Sequence, residues 1–193
     1  GKGFDSMWTD MSEIVRPTRD GIHGREYIST SVDIGQKPPF LTVNGDKSAA
    51  LPQLVSIPMP LIIDPCSPAH TLPRLDPIIE QAAADTGLIA VMDSRYRPAT
   101  EAHYENIAFY LGPDSAPVPD DILKKTSLVE IADSLSVEQH IGAIKKIHPG
   151  IIVAVRIGLT DEGIGRAVEL AGLKEIEVIH IVADADGNEI GAH

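Results

Sequence analysis

Cysteine is almost missing from this sequence. Cys66 stands alone, which excludes an intrachain disulfide and any cluster that this chain alone would hold on three or four thiolates. Such usage points to a reducing cytoplasm. Long apolar runs are missing too: no stretch approaches the roughly 18 residues that a membrane-spanning helix needs. No basic, apolar, small-residue leader is visible, so no signal peptide is expected. Positive charge is scarce, with 16 Lys and Arg against 28 Asp and Glu and a formal net charge of −12. Nucleic acid is therefore an unfavourable partner, because its phosphates must be neutralised by Lys and Arg. An anionic small molecule in a locally basic pocket stays compatible with the acidic whole, which serves solubility. Metal-ligand spacing is absent as well. The seven His form no HExxH, and no metal site is expected. The stretch DADGNE puts Asp184, Asp186 and Asn188 at the first, third and fifth positions of a calcium loop, but Glu189 occupies the sixth, where Gly makes the turn.

What is present is globular. Apolar residues make up 43% and mean hydropathy is +0.02, enough for one domain with a core plus a short extension. The opening GKGFDS, without Met, suggests a segment of a longer polypeptide. Residues 1–58 read as a β-rich lead-in, in which short β-prone runs such as Tyr27–Val32 and Phe40–Val43 are cut by Gly, Pro and Asn-Gly turn signals. Residues 59–193 read as an α/β domain. MPLIID suits a strand buried on both faces. LDPIIEQAAADTG suits a helix with Asp76 as cap, Pro77 at the first position and Gly87 as stop. LIAVMD is a second strand, PATEAHYENIAFYLG a second helix striped by Ala102, Ile107, Tyr110 and Leu111, and Ser127–Ile131 a weaker third strand. SVEQHIGAIKKIHPG opens with Ser136 and Gln139 at capping-box spacing. IIVAVRIG, a helix capped by Thr160, and VIHIVAD complete the pattern.

Strict βα alternation with apolar strands implies a parallel sheet coated by helices. Two architectures fit: a partial TIM-barrel-like (β/α) sheet of about five βα units, or an open flavodoxin-like doubly wound sheet. The missing helix after the fifth strand favours the first.

In either architecture chemistry gathers where strands end and helices begin. Those ends carry Asp64 with Cys66, Ser67 and His70; Asp93 with Arg95; Asp133 with Ser134; Arg156; and Asp184 with Asp186. Arg156 interrupts an apolar strand, and a buried guanidinium needs a partner: a ligand anion, an electron-rich ring edge, or an ion pair with Asp93 or Asp184. Cys66 has no guaranteed positive neighbour to activate it, so a small buried hydrophobe is the simpler reading. His140 and His148 read as surface residues of a helix. GLTDEGIGRA has the look of a phosphate loop, but Asp161 and Glu162 in the first turn would repel phosphate.

Several motifs fall in an order that carries more. MSEIVRPTRDGIHGREYISTSVDIG precedes SIPMPLIID; HIGAIKKIHPGIIVAVRIG and EVIHIVADADGNEIGAH follow. Together they resemble the glutamate synthase-related, FMN-binding α/β-barrel proteins. Ile57–Ile62 resembles that family's "IPxxI" first strand, His148-Pro149-Gly150 its "NPG" turn, Val153–Ile157 its "VxVKL" strand, and Asp186-Gly187 with Gly191-Ala192 its "DG…GA" loop. The resemblance thins between about Arg95 and Lys125.

It implies an FMN-dependent oxidoreductase of glutamate biosynthesis, with Arg156 in place of a Lys at the flavin N1/O2 edge. Asp64, Cys66, Ser67 and Asp93 would then lie on the cofactor side, and Asp184 and Asp186 on the catalytic, substrate side. The substrate would be a small molecule such as 2-oxoglutarate with an ammonia or amine donor. Barrel flavoproteins hold the phosphate with loops after strands seven and eight, beyond the strands read here, so these 193 residues are expected to bind flavin poorly or not at all. The cluster cysteines of glutamate synthases are absent, and Pro65, Cys66 and Pro68 stand where the family is Gly-rich. Open barrel edges favour pairing with a second copy or a redox partner; the alternative is a non-catalytic half-barrel serving assembly or small-molecule binding.

Overall fold

The computed structural model describes residues 31–35, 42–43, 45–46, 49–50, 54–64, 75–134, 136–184 and 186–191. Cys66, Ser67 and His70, like residues 1–30, lie outside the described residues. In the lead-in, β1 (Val32–Ile34), which begins at the last residue of the expected Tyr27–Val32 run, pairs antiparallel with β4 (Val55–Ile57). The connection carries a short antiparallel ladder of β2 (Thr42–Val43) and β3 (Ala49–Ala50).

The rest is a parallel sheet in strict chain order: β5 (Ile62–Ile63), β6 (Ile89–Asp93), β7 (Ile107–Leu111), β8 (Leu128–Ala132), β9 (Ile152–Gly158) and β10 (Val178–Val182). A doubly wound sheet reverses its strand order at a switch point; this one never does. It curls through 240° as a half-barrel. The partial-barrel reading holds and the open flavodoxin-like alternative falls.

There are six strands in this sheet rather than five. The helix expected across 98–112 is a 3-10 turn, Glu101–Asn106, followed by β7. The spacing of Ile107, Tyr110 and Leu111 fits a helix stripe, but IAFYL is also a continuous apolar run. Ile107, Ala108 and Phe109 are buried on both sides of the sheet, and Ala102 is exposed. Burial on two faces favours the strand. The short crossover needs an anchor, and Glu80 supplies it. Its carboxylate, 2% exposed, accepts from the Ala99 amide at 2.8 Å, from the Tyr96 hydroxyl and from His103 Nδ1. Burial pushes the Glu80 carboxyl up, but these three bonds outweigh it and hold its pKa below the ordinary value.

Among the described residues, four helices run outside the curl: α1 (Asp76–Thr86), the short α2 (Asp120–Leu123), α3 (Val137–Ile147) and α4 (Asp161–Leu170). Their Ala83, Ile122, Ile141, Ile144, Ala167 and Leu170 pack on Met92, Phe109, Ile131 and Val155 from alternate strand positions. The opposite parity, Ile89, Val91, Ala108, Leu128, Ile152 and Ala154, faces the concave side. There it meets Ile57 of β4, with Ile34 and Val55 alongside. Because Ile89, Leu128 and Ile152 open their strands, the β1–β4 pair closes the amino end of the curl.

The helix signals hold in part. Gly87 stops α1 in the left-handed conformation (φ +70°), and Pro77 sits in its first turn, but Leu75 is the N-cap and Asp76 lies within the helix. Ser136 caps α3 without a side-chain bond, so no capping box forms. Thr160 does cap α4, accepting from the Gly163 amide at 2.9 Å. MPLIID yields only the two-residue edge strand β5, half-buried rather than enclosed.

Two glycines of α4 should respond oppositely to the same change. A Cβ on Gly163 would stand 2.1 Å from the Gly158 carbonyl oxygen, while one on Gly165 meets nothing within 4 Å. Gly163→Ala should cost about 3 kcal/mol by prising α4 off β9, and Gly165→Ala should add about 1 kcal/mol. Urea denaturation of the two variants checks the pair; equal effects would contradict this packing.

Candidate functional site

The concave face turns polar toward the carboxyl ends of its strands. Tyr110 on β7, Glu130 on β8, Arg156 on β9 and His180 on β10 share the inward parity, with Tyr110 opposite Glu130 and Arg156 opposite His180. Asp64, just after β5, completes the group. Arg156 Nε donates to Glu130 Oε1 at 3.0 Å, its Nη2 donates to Asp64 Oδ2, and its guanidinium lies 5.3 Å from the Tyr110 ring centre. His180 Nδ1 stands 2.5 Å from the same Glu130 Oε1.

The charges are deeply placed: the side chains of Glu130 and Arg156 are 1% and 12% exposed. Burial pushes the Glu130 carboxyl up, yet the His180 bond and the Arg156 charge prevail and hold its pKa below 4.5. Burial pushes Arg156 down, but Glu130 and Asp64 carry it above its ordinary value. The Tyr110 phenol is raised, first by burial, then by Glu130 and Asp64 against the opposing pull of Arg156. The result is a fixed guanidinium between two carboxylates, backed by an aromatic ring.

Two cavities flank this layer. A chamber of about 430 Å³ lies toward the amino ends, lined by Ile57, Ile62, Val91, Ala154 and Val178, with Glu130 and His180 at its polar end. A mouth of about 500 Å³ opens at the carboxyl ends, lined by Tyr110, Asp133, Arg156, Gly158, Thr160 and Arg166.

Of the residues expected from sequence, Asp64 and Arg156 come together. The partners of Arg156 are Asp64 and Glu130 rather than Asp93 or Asp184. Asp93 turns to Arg95 instead, accepting from its amide and Nε, both at 2.8 Å. Burial raises the Asp93 carboxyl, and Arg95 more than offsets this, leaving it lowered. Asp184 is exposed and organises its own loop, with Oδ1 accepting from the amides of Asp186 at 2.9 Å and Asn188 at 2.7 Å. Asp186 is exposed. Among the described residues neither bonds to the Arg156 group. Asp133 holds Arg166 at 3.3 Å. Among the described residues, no cluster of three or more His, Cys, Asp or Glu is placed to hold a metal, and no helix is long and apolar enough to cross a membrane.

Tyr110, Glu130 and His180 were not singled out from sequence. Glu130 in LVEIA and His180 in VIHIV carry the same signal as Arg156, a polar group inside an apolar strand run. Tyr110 carries no such mark.

Arg156→Met should destabilise the chain by about 3–5 kcal/mol in urea at neutral pH, since it leaves two carboxylates without their cation. Adding Glu130→Met should recover a large part of that loss. Because the folded pKa of Glu130 is depressed, its stabilisation is complete above pH 4.5 and is lost as pH falls through the lower folded value. Glu130→Gln should therefore flatten the acid limb of stability against pH below 4.5; an unchanged slope would rule out a buried charged Glu130.

Set against known proteins, the chain matches no family model, no curated protein and no solved structure.

Proposed function

We infer that the half-barrel is the flavin-side portion of an FMN-dependent oxidoreductase resembling the glutamate synthase family, acting in amino-acid and nitrogen metabolism in a reducing cytoplasm. One observation carries this reading: a guanidinium fixed at the carboxyl-end mouth of a parallel half-barrel, where such folds place their chemistry. The residues present fit the ring portion of the group. Arg156 is immobilised through Nε and Nη2, and among the described residues its Nη1 has no partner. That nitrogen can donate to an electron-rich ring edge.

Bound FMN would supply two-electron transfer between a donor and the substrate. The chain's own part is electrostatic and positional. Arg156 stabilises negative charge arising beside it. Asp64 and Glu130 hold the guanidinium in one orientation, and Tyr110 packs against it. On the family resemblance Asp64, with Cys66 and Ser67, would serve the ring side and Asp184 and Asp186 the substrate side, while Asp93 steadies Arg95.

An assembly module is the second reading, favoured by a different observation. Ile181 on β10 is 47% exposed, and Ile164 and Val168 on α4 are 48% and 73% exposed. These residues make the open edge of the curl apolar, the kind of edge that pairs with another chain. The partner would be a second copy or a redox protein.

Titrating FMN with the purified chain separates the two. The oxidoreductase reading expects weak, saturable quenching of flavin fluorescence, with affinity reduced about tenfold by Arg156→Gln, the loss of one charge-assisted contact. A folded chain whose flavin quenching is unmoved by Arg156→Gln, and which sediments above the monomer mass until Val168→Glu is introduced, would replace it with the assembly module.

A further inference from the structure

The apolar chamber is bounded at its polar end by Glu130, a carboxylate with one unanswered oxygen. Glu130 Oε1 is engaged twice, by Arg156 and His180, but Oε2 is fully buried and, among the described residues, has no hydrogen-bond partner. Asp64 Oδ1 is in the same condition. A carboxylate oxygen buried without a donor is costly, and here the two carboxylates that carry such oxygens share a single guanidinium through their other oxygens. With His180 neutral, Glu130, Asp64 and Arg156 together carry one net negative charge, and Glu130 borders a space of about 430 Å³ whose other walls include Ile57, Ile62, Val91, Ala108, Leu128 and Val178.

An ordered water needs two to four polar partners, so water could serve the oxygens while leaving the apolar volume unfilled. An anion would be repelled. A neutral hydroxyl could donate once, but a charged donor makes the stronger bond to a carboxylate.

We propose that the chamber between the β1–β4 pair and the Glu130–Arg156–His180 layer is a binding site for a small organic ammonium with an apolar body. The ammonium donates to Glu130 Oε2 at the polar end, and the hydrocarbon part lies against Ile62, Val91, Ala108 and Val178. Entry is from the concave side, past the exposed Leu61. The site lies on the amino-end side of the polar layer, so it stands whether or not a flavin occupies the mouth.

Benzylamine, with benzyl alcohol and benzoate as controls, tests this on the flavin-free chain by amide NMR and calorimetry. Benzylamine should give saturable shifts at Val91, Ala108, Ala154, Val178 and His180. Benzyl alcohol should bind about tenfold more weakly, lacking the charge-assisted bond, and benzoate should not bind. Glu130→Gln should weaken benzylamine about tenfold or more. Ala108→Leu, which fills the chamber and leaves the ion pairs in place, should abolish binding, and this variant keeps the test sharp if Glu130→Gln fails to fold. Equal affinity for amine and alcohol would reduce the chamber to an apolar hole and overturn the proposal. So would the absence of any saturable response, or shifts at the same residues that follow protein concentration without amine.

Discussion

The bond between Arg156 and Asp64 joins residues 92 positions apart. It spans the concave face, because β6, β7 and β8 lie between β5 and β9. Strand ladders fix only neighbours; this contact ties the first strand of the sheet to the fifth. With Glu130 gripping the same guanidinium from β8, it forms a chord that resists flattening of the curl. Two carboxylates on one cation, nearly out of water, make a poor source of net stability, but the arrangement tolerates little change in the spacing of the strands it joins. The curvature, the mouth and the chamber all depend on that spacing.

Much of the architecture was legible from the chain. Apolar runs spaced by helix caps announced a parallel sheet, and Gly87 and Thr160 marked helix ends that the structure keeps. The misread stretch was 98–112, where a 3.6-residue stripe and a continuous apolar run coincide in the same letters. Only burial on both faces, a property of the neighbours β6 and β8, decides between them. Periodicity could not choose between barrel and open sheet, since strand order is set by which edges meet and not by any local period; only the missing helix after the fifth strand leaned toward the barrel.

The site was half legible. Arg156 stood out as a charge in a greasy strand, and that logic extends to Glu130 and His180, both polar groups in apolar runs. Which carboxylate would meet Arg156 could not be read, because the pairing follows the register of β8 with β9 and the curl that brings Asp64 across. Asp93 and Asp184 lie at strand ends just as Asp64 does, yet local partners, Arg95 and the 186–188 amides, claim them first. Short-range hydrogen bonds compete well because closing a small loop sacrifices little chain entropy.

Strict sequential order gives each strand only adjacent companions, and the chord stops at β9. Among the described residues β10 has one ladder, with β9; the His180–Glu130 contact, the packing of Val178 and Ile179, and the Glu177 carboxylate that receives Lys145 at 2.6 Å and the Val153 amide at 2.8 Å add to it. All five of its residues are partly or well exposed, whereas β6 is buried throughout. Opening is thus cheaper at β10 than near β6 to β8. The wall beside His180 is therefore looser than the one at β6 to β8, and whatever enters the concavity from that flank meets a strand only partly enclosed.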